Sequence, residues 1–368
     1  MTSAGSGRPE ILTPRARALL PVFLVALVAL AVHQLWFSLP DRVTLAGPTM
    51  GTTWSVVLQG RGHTRNDLTE ARQAIRERLA SVNALMSTWD PDSELSRLNA
   101  HAEPTPFPLS PETLRVFALA QEVSLQTGGA FDVTVGPLVA AWGFGAGART
   151  PGQAPDAAEL AAIRGRVGYR LLELDGEGRT IRKARPDLRC DLSAIAKGYG
   201  VDAVAGALEA RGWTDYLVEV GGEIRVRGER PGGGPWQVGI ERPGDDPGRV
   251  VQGVVPLSDL AMATSGDYRN FYEVDGERRS HIVDPRSGRP VTHRVASVSV
   301  IHPEAVLADA WATALTVLGP DEGLELAESR GLAAYFLVRT GPERFEARAT
   351  SGFPALRGPA LGSPGEGG

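Results

Sequence analysis

Asp309 sits where a charge is hardest to explain. In Val306–Leu318 the residues Leu307, Ala310, Ala314, Val317 and Leu318 make most of a helix apolar. A carboxylate among them is costly unless it is paired or coordinated. Thr313 follows four residues later, so on a helix both side chains leave one face. Carboxylate, hydroxyl and carbonyl oxygens suit a hard cation such as Mg²⁺; a salt bridge or contact with water would also satisfy the aspartate. A second constellation is Asp191–Gly200 (DLSAIAKGYG), followed by Glu219–Glu223 (EVGGE). Asp191 is a capping residue type, here ahead of a helix with Leu192, Ile195, Tyr199, Ala203 and Leu208 on its apolar face. A helix N-terminus suits a phosphate, and Lys197 in the next turn would add a full charge. The same pair would serve equally as a plain cap and a solvated surface lysine. Third, His281 stands three residues before Asp284 in Ser280–Pro290 (SHIVDPRSGRP). An imidazole titrates close to neutrality and can act as a general base, or it can be a hydrogen-bonded structural residue. His63, His101, His293 and His302 lie near loops without such company.

Familiar chemistries are absent from the sequence. It holds no G-x-x-x-x-G-K-[ST] loop, no H-E-x-x-H and no G-x-S-x-G elbow. Gly143, Gly145 and Gly147 lack the strand–turn–helix context of a dinucleotide-binding turn. With 38 basic against 43 acidic residues the net charge is −5, which argues against a duplex nucleic-acid binder. The single cysteine, Cys190, excludes an internal disulfide and a cysteine zinc site. The 368 residues, 42% hydrophobic, are ample for a large core.

The elements that must position these residues read as follows. Thr53–Gln59, Leu171–Leu174, Tyr216–Val220, Glu223–Gly228, Trp236–Glu241, Val250–Leu257, Asn270–Val274, Ala296–Ile301 and Ala333–Arg339 have strand patterns. Asp67 with Glu70 resembles a capping box opening a helix with Leu68, Ala71, Ile75, Leu79 and Val82 on one face. Ser110-Pro111 starts another helix, which stops at Gly128-Gly129. Asp191–Glu209 and Pro303–Leu318 complete the helices, and Gly145–Ala157 is a Gly/Pro-rich loop. Hairpin-like strand runs kept apart from helix runs predict an α+β fold, with mixed or antiparallel sheets and flanking helices.

The N-terminus predicts export. Arg15 and Arg17 precede an apolar run from Ala18 to Phe37, about 20 residues and so near bilayer-spanning length. Its inner part, Leu19–Leu30, with Ala29-Leu30-Ala31, also fits a cleaved signal peptide. The expected division is a basic segment 1–17, an anchor or signal 18–37, a catalytic unit 41–345 and a disordered tail 346–368. The catalytic unit would lie on the periplasmic side of the inner membrane.

Taken in order, Met50-Gly51-Thr52, MSTWDPDSELSRLN, GAFDVTVGPL, DLSAIAKGYGVDAVA, LVEVGGEIRVRG, ATSGDY, HIVDPRSGRP and ADAWATALTVLG resemble the ApbE family, the FAD:protein FMN transferases. The resemblance runs over roughly Leu45–Arg339. It implies a Mg²⁺-dependent enzyme that takes FAD as substrate, moves the FMN half onto a Thr or Ser of an exported target protein and releases AMP. It implies FAD contacts at Met50, Trp89, Ala130, Phe131, Asp132, Asp191, Lys197 and Ile282, with Trp89 and Phe131 suited to packing on flavin or adenine rings. It implies metal ligands at the Ala194 carbonyl, Asp309 and Thr313; Ala312 stands where some members carry a further Asp. His281 matches the base acting on the target hydroxyl, with Asp284 in support. The same machinery would also fit an FAD pyrophosphatase giving FMN and AMP, or a periplasmic flavin-binding protein without turnover. No lipobox cysteine follows the apolar run, and no [ST]-G-A-[ST] acceptor motif is present in the chain.

Overall fold

The computed structural model describes residues 19–28, 39–145, 148–150, 153–244, 250–266, 271–274, 277–341 and 343–357. Its frame is an eight-stranded sheet whose strands lie side by side in chain order. They are Arg42–Thr49 (β1), Thr52–Gln59 (β2), Tyr216–Val220 (β3), Glu223–Arg227 (β4), Ala261–Gly266 (β5), Val295–His302 (β6), Ala333–Gly341 (β7) and Arg344–Ala349 (β8). Every neighbouring pair is antiparallel. The α+β expectation holds, and the large sheet takes the antiparallel form.

Alternation along the strands gives the sheet two covered faces. On one side Trp54, Val56 and Leu58 of β2 and Val218 and Val220 of β3 pack on helices α1 (Arg65–Met86) and α3 (Ala196–Glu209). Further along the same face, Ala263, Val298, Val300 and Phe336 join α2 (Pro111–Gln126) and α4 (Ala305–Leu318) in the largest core. The opposite side, through Leu217, Val226, Met262, Ile301 and Leu337, is covered by the hairpin Trp236–Glu241 and Val251–Leu257. α3 packs between α1 and α4.

Local signals explain most boundaries. Ser110 caps α2 through a bond from the Thr113 N–H, with Pro111 in the first turn, as the dipeptide predicts. For α1 the cap is Thr64, not Asp67: the Asp67 N–H donates to the Thr64 hydroxyl and the Asp67 carboxylate accepts from the Thr64 N–H. The capping box thus lies three residues upstream of the Asp67–Glu70 reading, because Asp67 is short enough to reach back and fill the third helical position.

At the C-terminus, β8 runs through the expected boundary at 345, and Arg357 forms an isolated bridge with Val254. Phe353 is buried in the core beneath the outer hairpin. The body therefore extends to Arg357; residues 358–368 lie outside the described ones. At the other end, residues 19–28 are helical and exposed, while 1–18 and 29–38 lie outside the described residues. Among the described residues no helix is long and apolar enough to cross a membrane.

Candidate active site

The site is built where α3 and α4 cross. A Cβ on Gly198 would lie 2.3 Å from the Ala305 carbonyl oxygen and 2.8 Å from the Asp309 Cβ, so only glycine permits this approach. The close crossing lets the Gly198 N–H donate to Asp309 Oδ2 at 2.9 Å. Gly198 is the third residue of α3, where a helix leaves its N–H without an internal acceptor, and the Asp309 carboxylate fills that place. Asp309 is 4% exposed. Burial pushes its carboxyl above the ordinary range, and the nearby Lys197 charge pulls it back down. Lys197 Nζ stands 3.7 Å from Asp309 Oδ1 and is ion-paired with Glu223 Oε1. Thr313 is half-buried on the same helix.

This donor set fits a hard cation. Asp309 keeps Oδ1 outside its backbone hydrogen bond, and the Thr313 hydroxyl shares the Asp309 helix face. Among the described residues no group of three or more His, Cys, Asp or Glu side chains gathers for a metal. Among the described residues a cation here would therefore meet one carboxylate together with neutral oxygens.

Asp191 departs from its expected role. α3 starts at Ala196, with Ile195 as a cap that makes no side-chain bond. The Asp191 carboxylate instead accepts from the Ser193 N–H at 2.8 Å, closing a short turn ahead of the helix. Its own N–H donates to the Val133 carbonyl at 2.7 Å, tying this turn to the Ala130–Val133 segment. Cys190, next to it, is fixed in both directions by the Asn99 side-chain amide. These tethers hold residues 190–193 in a non-helical path that a capping pattern alone does not reveal.

Asp132 is buried, which raises its pKa, and its carboxylate accepts from the Thr134 N–H and hydroxyl and the Tyr169 N–H. Phe131 is 2% exposed and its ring packs in the largest core, with its backbone beside Asp132. Trp89, by contrast, is 76% exposed in the turn after α1. Met50 adopts a positive φ of 48° in the β1–β2 turn, and its sulfur lies 3.6 Å from where a Gly200 Cβ would be. A cleft of about 480 Å³ opens beside Gly129 and Asp132, flanked by Arg164, Arg170 and Arg286.

His281 and Ile282 enter on the short hairpin Val283–Asp284 and Arg289–Pro290 that follows β5. Ile282 is buried in the largest core. The His281 ring meets the Phe144 ring edge-on, with centroids 6.1 Å apart. Trp142 Nε1 donates to the Gly288 carbonyl at 2.8 Å and locks the hairpin to the Gly136–Ala141 helix. The Asp284 carboxylate binds the Arg286 N–H and guanidinium, so in this structure it shapes the hairpin turn. Lys197 and Asp309 are brought together directly, and Asp191 is bonded to the segment that carries Asp132; His281 comes from a separate element. Glu223, read from the sequence only as the end of the Glu219–Glu223 stretch, pairs with Lys197 across 26 positions.

Comparison with known proteins places this arrangement. The ApbE family model matches residues 50–336. A curated relative from Vibrio cholerae, named FAD:protein FMN transferase, is 44% identical over 332 residues, covering 90% of this chain and 97% of its own. The solved flavin transferase ApbE from Vibrio cholerae superposes with a TM-score of 0.77 at 42% identity, covering 85% of this chain and 98% of its own. The apo flavinyl transferase ApbE of Pseudomonas stutzeri gives 0.78 at 37% identity, covering 86% of this chain and 96% of its own. The fold and the curated relatives are those of a transferase enzyme. The chain belongs to the ApbE family.

Proposed function

We propose that the chain is an FAD:protein FMN transferase that uses Mg²⁺, modifies a Thr or Ser of an exported protein and releases AMP. The observation that carries this reading is the buried Asp309 with Lys197 Nζ 3.7 Å away, at a glycine-only helix crossing beside a half-buried Thr313. Phosphoryl transfer asks mainly for positioning and charge neutralisation, and this site supplies fixed charge of both signs. In the proposed reaction the acceptor hydroxyl oxygen bonds to the FMN-side phosphorus, the bond from that phosphorus to the bridging oxygen breaks, and AMP leaves with that oxygen. His281 takes the hydroxyl proton at a ring nitrogen. Lys197 faces the pyrophosphate, and Asp309, Thr313 and the Ala194 carbonyl would hold Mg²⁺. When bound, the ion would offset negative charge on the pyrophosphate oxygens. Trp89 offers an exposed ring for the flavin or the adenine.

The basic residues ahead of the apolar run support a placement in which 18–37 anchors the protein in the inner membrane and the catalytic body faces the periplasm. The functional test is incubation of the protein with FAD, Mg²⁺ and an acceptor carrying [ST]-G-A-[ST]. The expected outcome is an acceptor heavier by one FMN phosphoester, lost on chelation. An acceptor of unchanged mass, with FAD bound and Mg²⁺ present, would refute the reading.

A further inference from the structure

Lys197 lies between two buried carboxylates and is shared unequally. Its ammonium makes a hydrogen-bonded ion pair with Glu223 Oε1, whereas Asp309 Oδ1 is 3.7 Å away, beyond hydrogen-bond length. The side chains of Glu223 and Asp309 are 3% and 5% exposed, that of Lys197 30%, so the lysine forms the open side of the cluster. Asp309 Oδ2 is occupied by the Gly198 N–H, which makes Oδ1 the oxygen left to face either the ammonium or a cation.

The lysine is steered from a second direction. Gly221 and Gly222 turn β3 into β4 with φ of 62° and 108°. A Cβ on Gly221 would lie 3.1 Å from Lys197 Cδ and 2.9 Å from Thr52 Cγ2, so the turn rests on the lysine stem. The Gly222 N–H donates to Glu219 Oε1 at 2.7 Å, fixing the turn that presents Glu223. Glu223 Oε2 is buried and has no hydrogen-bond partner among the described residues, an arrangement that costs free energy and calls for a reason. Burial outweighs the ion pair and pushes the Glu223 carboxyl up to about 7.

We propose that Glu223 is a positioning residue that holds the Lys197 ammonium away from Asp309, keeping the Asp309 carboxylate open for a divalent cation. Without Glu223 the ammonium, already 3.7 Å from Asp309 Oδ1, would be drawn towards that oxygen and compete there with the ion. The inference rests on the proposed function only for the presence of a metal at Asp309. It adds a residue that acts on the metal through Lys197 and without ligating it.

The test is direct binding of Mn²⁺, read by electron paramagnetic resonance of the free ion, to the full-length protein without FAD or acceptor. Wild type, Glu223→Gln, Lys197→Met and the double variant are compared, with circular dichroism to confirm folding. Gln keeps the size and shape of Glu223 and removes its charge, so the fold should persist while the ammonium loses its anionic partner. Glu223→Gln should weaken Mn²⁺ binding by about 10–100-fold, as loss of a residue that orients a metal ligand does. The double variant should bind close to Lys197→Met, because the competing ammonium is gone. Unchanged binding in Glu223→Gln would overturn the proposal, as would a double variant as weak as the single one, which would make Glu223 a ligand itself. A wild type that binds no Mn²⁺ would overturn it too. Acceptor labelling, measured separately, reports on the transferase reading alone.

Discussion

His281 and Asp309 ask different things of a substitution. A base acting on the acceptor hydroxyl lowers a barrier and leaves ground-state binding of FAD alone. His281→Ala should therefore slow FMN transfer by about 10²–10⁴-fold with FAD affinity nearly unchanged, measured by acceptor mass and flavin fluorescence titration. Transfer at the wild-type rate would make His281 structural, held by its contact with Phe144. Asp309→Asn keeps an oxygen for the Gly198 N–H but loses the charge. The variant should fold, lose most activity, and regain part of it in excess Mg²⁺. Unchanged Mg²⁺ dependence would remove Asp309 from the metal site.

At the scale of elements, the helix crossing depends on how α4 begins. His302 Nδ1 accepts the Glu304 N–H at 3.0 Å, and Asp202 of α3 accepts the Ala305 and Val306 N–H groups at 3.1 and 2.9 Å. Burial holds the His302 imidazole below its ordinary pKa. As pH falls below about 6.5, the unfolded chain takes up a proton that folded His302 refuses. Stability contributed by neutral His302 is present above that pH and is lost as pH drops through the folded value. Melting temperatures between pH 7.5 and 5.5 should fall for the wild type and fall less for His302→Asn, which can accept the bond without titrating. Parallel curves for the two proteins would show that His302 carries none of the dependence.

These elements also show what a sequence conveys. The apolar stripe of α1, the Ser110-Pro111 start and the Asp309–Thr313 face are local patterns, repeating at helical spacing, and all are present in the fold. Asp191 as a cap, the burial of the Phe131 ring and the importance of Glu223 were not legible in the same way. Each is decided by a partner far along the chain: Val133 for Asp191, the largest core for Phe131, Lys197 for Glu223. The packed segment from Ser351 to Arg357 belongs with them, since its Gly/Pro-rich composition hides a seat against Val254 and the outer hairpin.

On the scale of the whole molecule, the antiparallel sheet, covered on both faces, fixes the two helices and the hairpin that carry the site. In the proposed function this frame delivers FMN to a protein hydroxyl in preference to water. The most direct measurement counts products in one reaction: AMP, free FMN and flavinylated acceptor, quantified by chromatography and intact mass in the presence of FAD and Mg²⁺. A transferase should yield one AMP for each flavinylated acceptor, little free FMN, and slow AMP release when the acceptor is left out. Equal amounts of AMP and free FMN at the same rate with and without acceptor, the acceptor mass unchanged, would contradict it and leave a hydrolase.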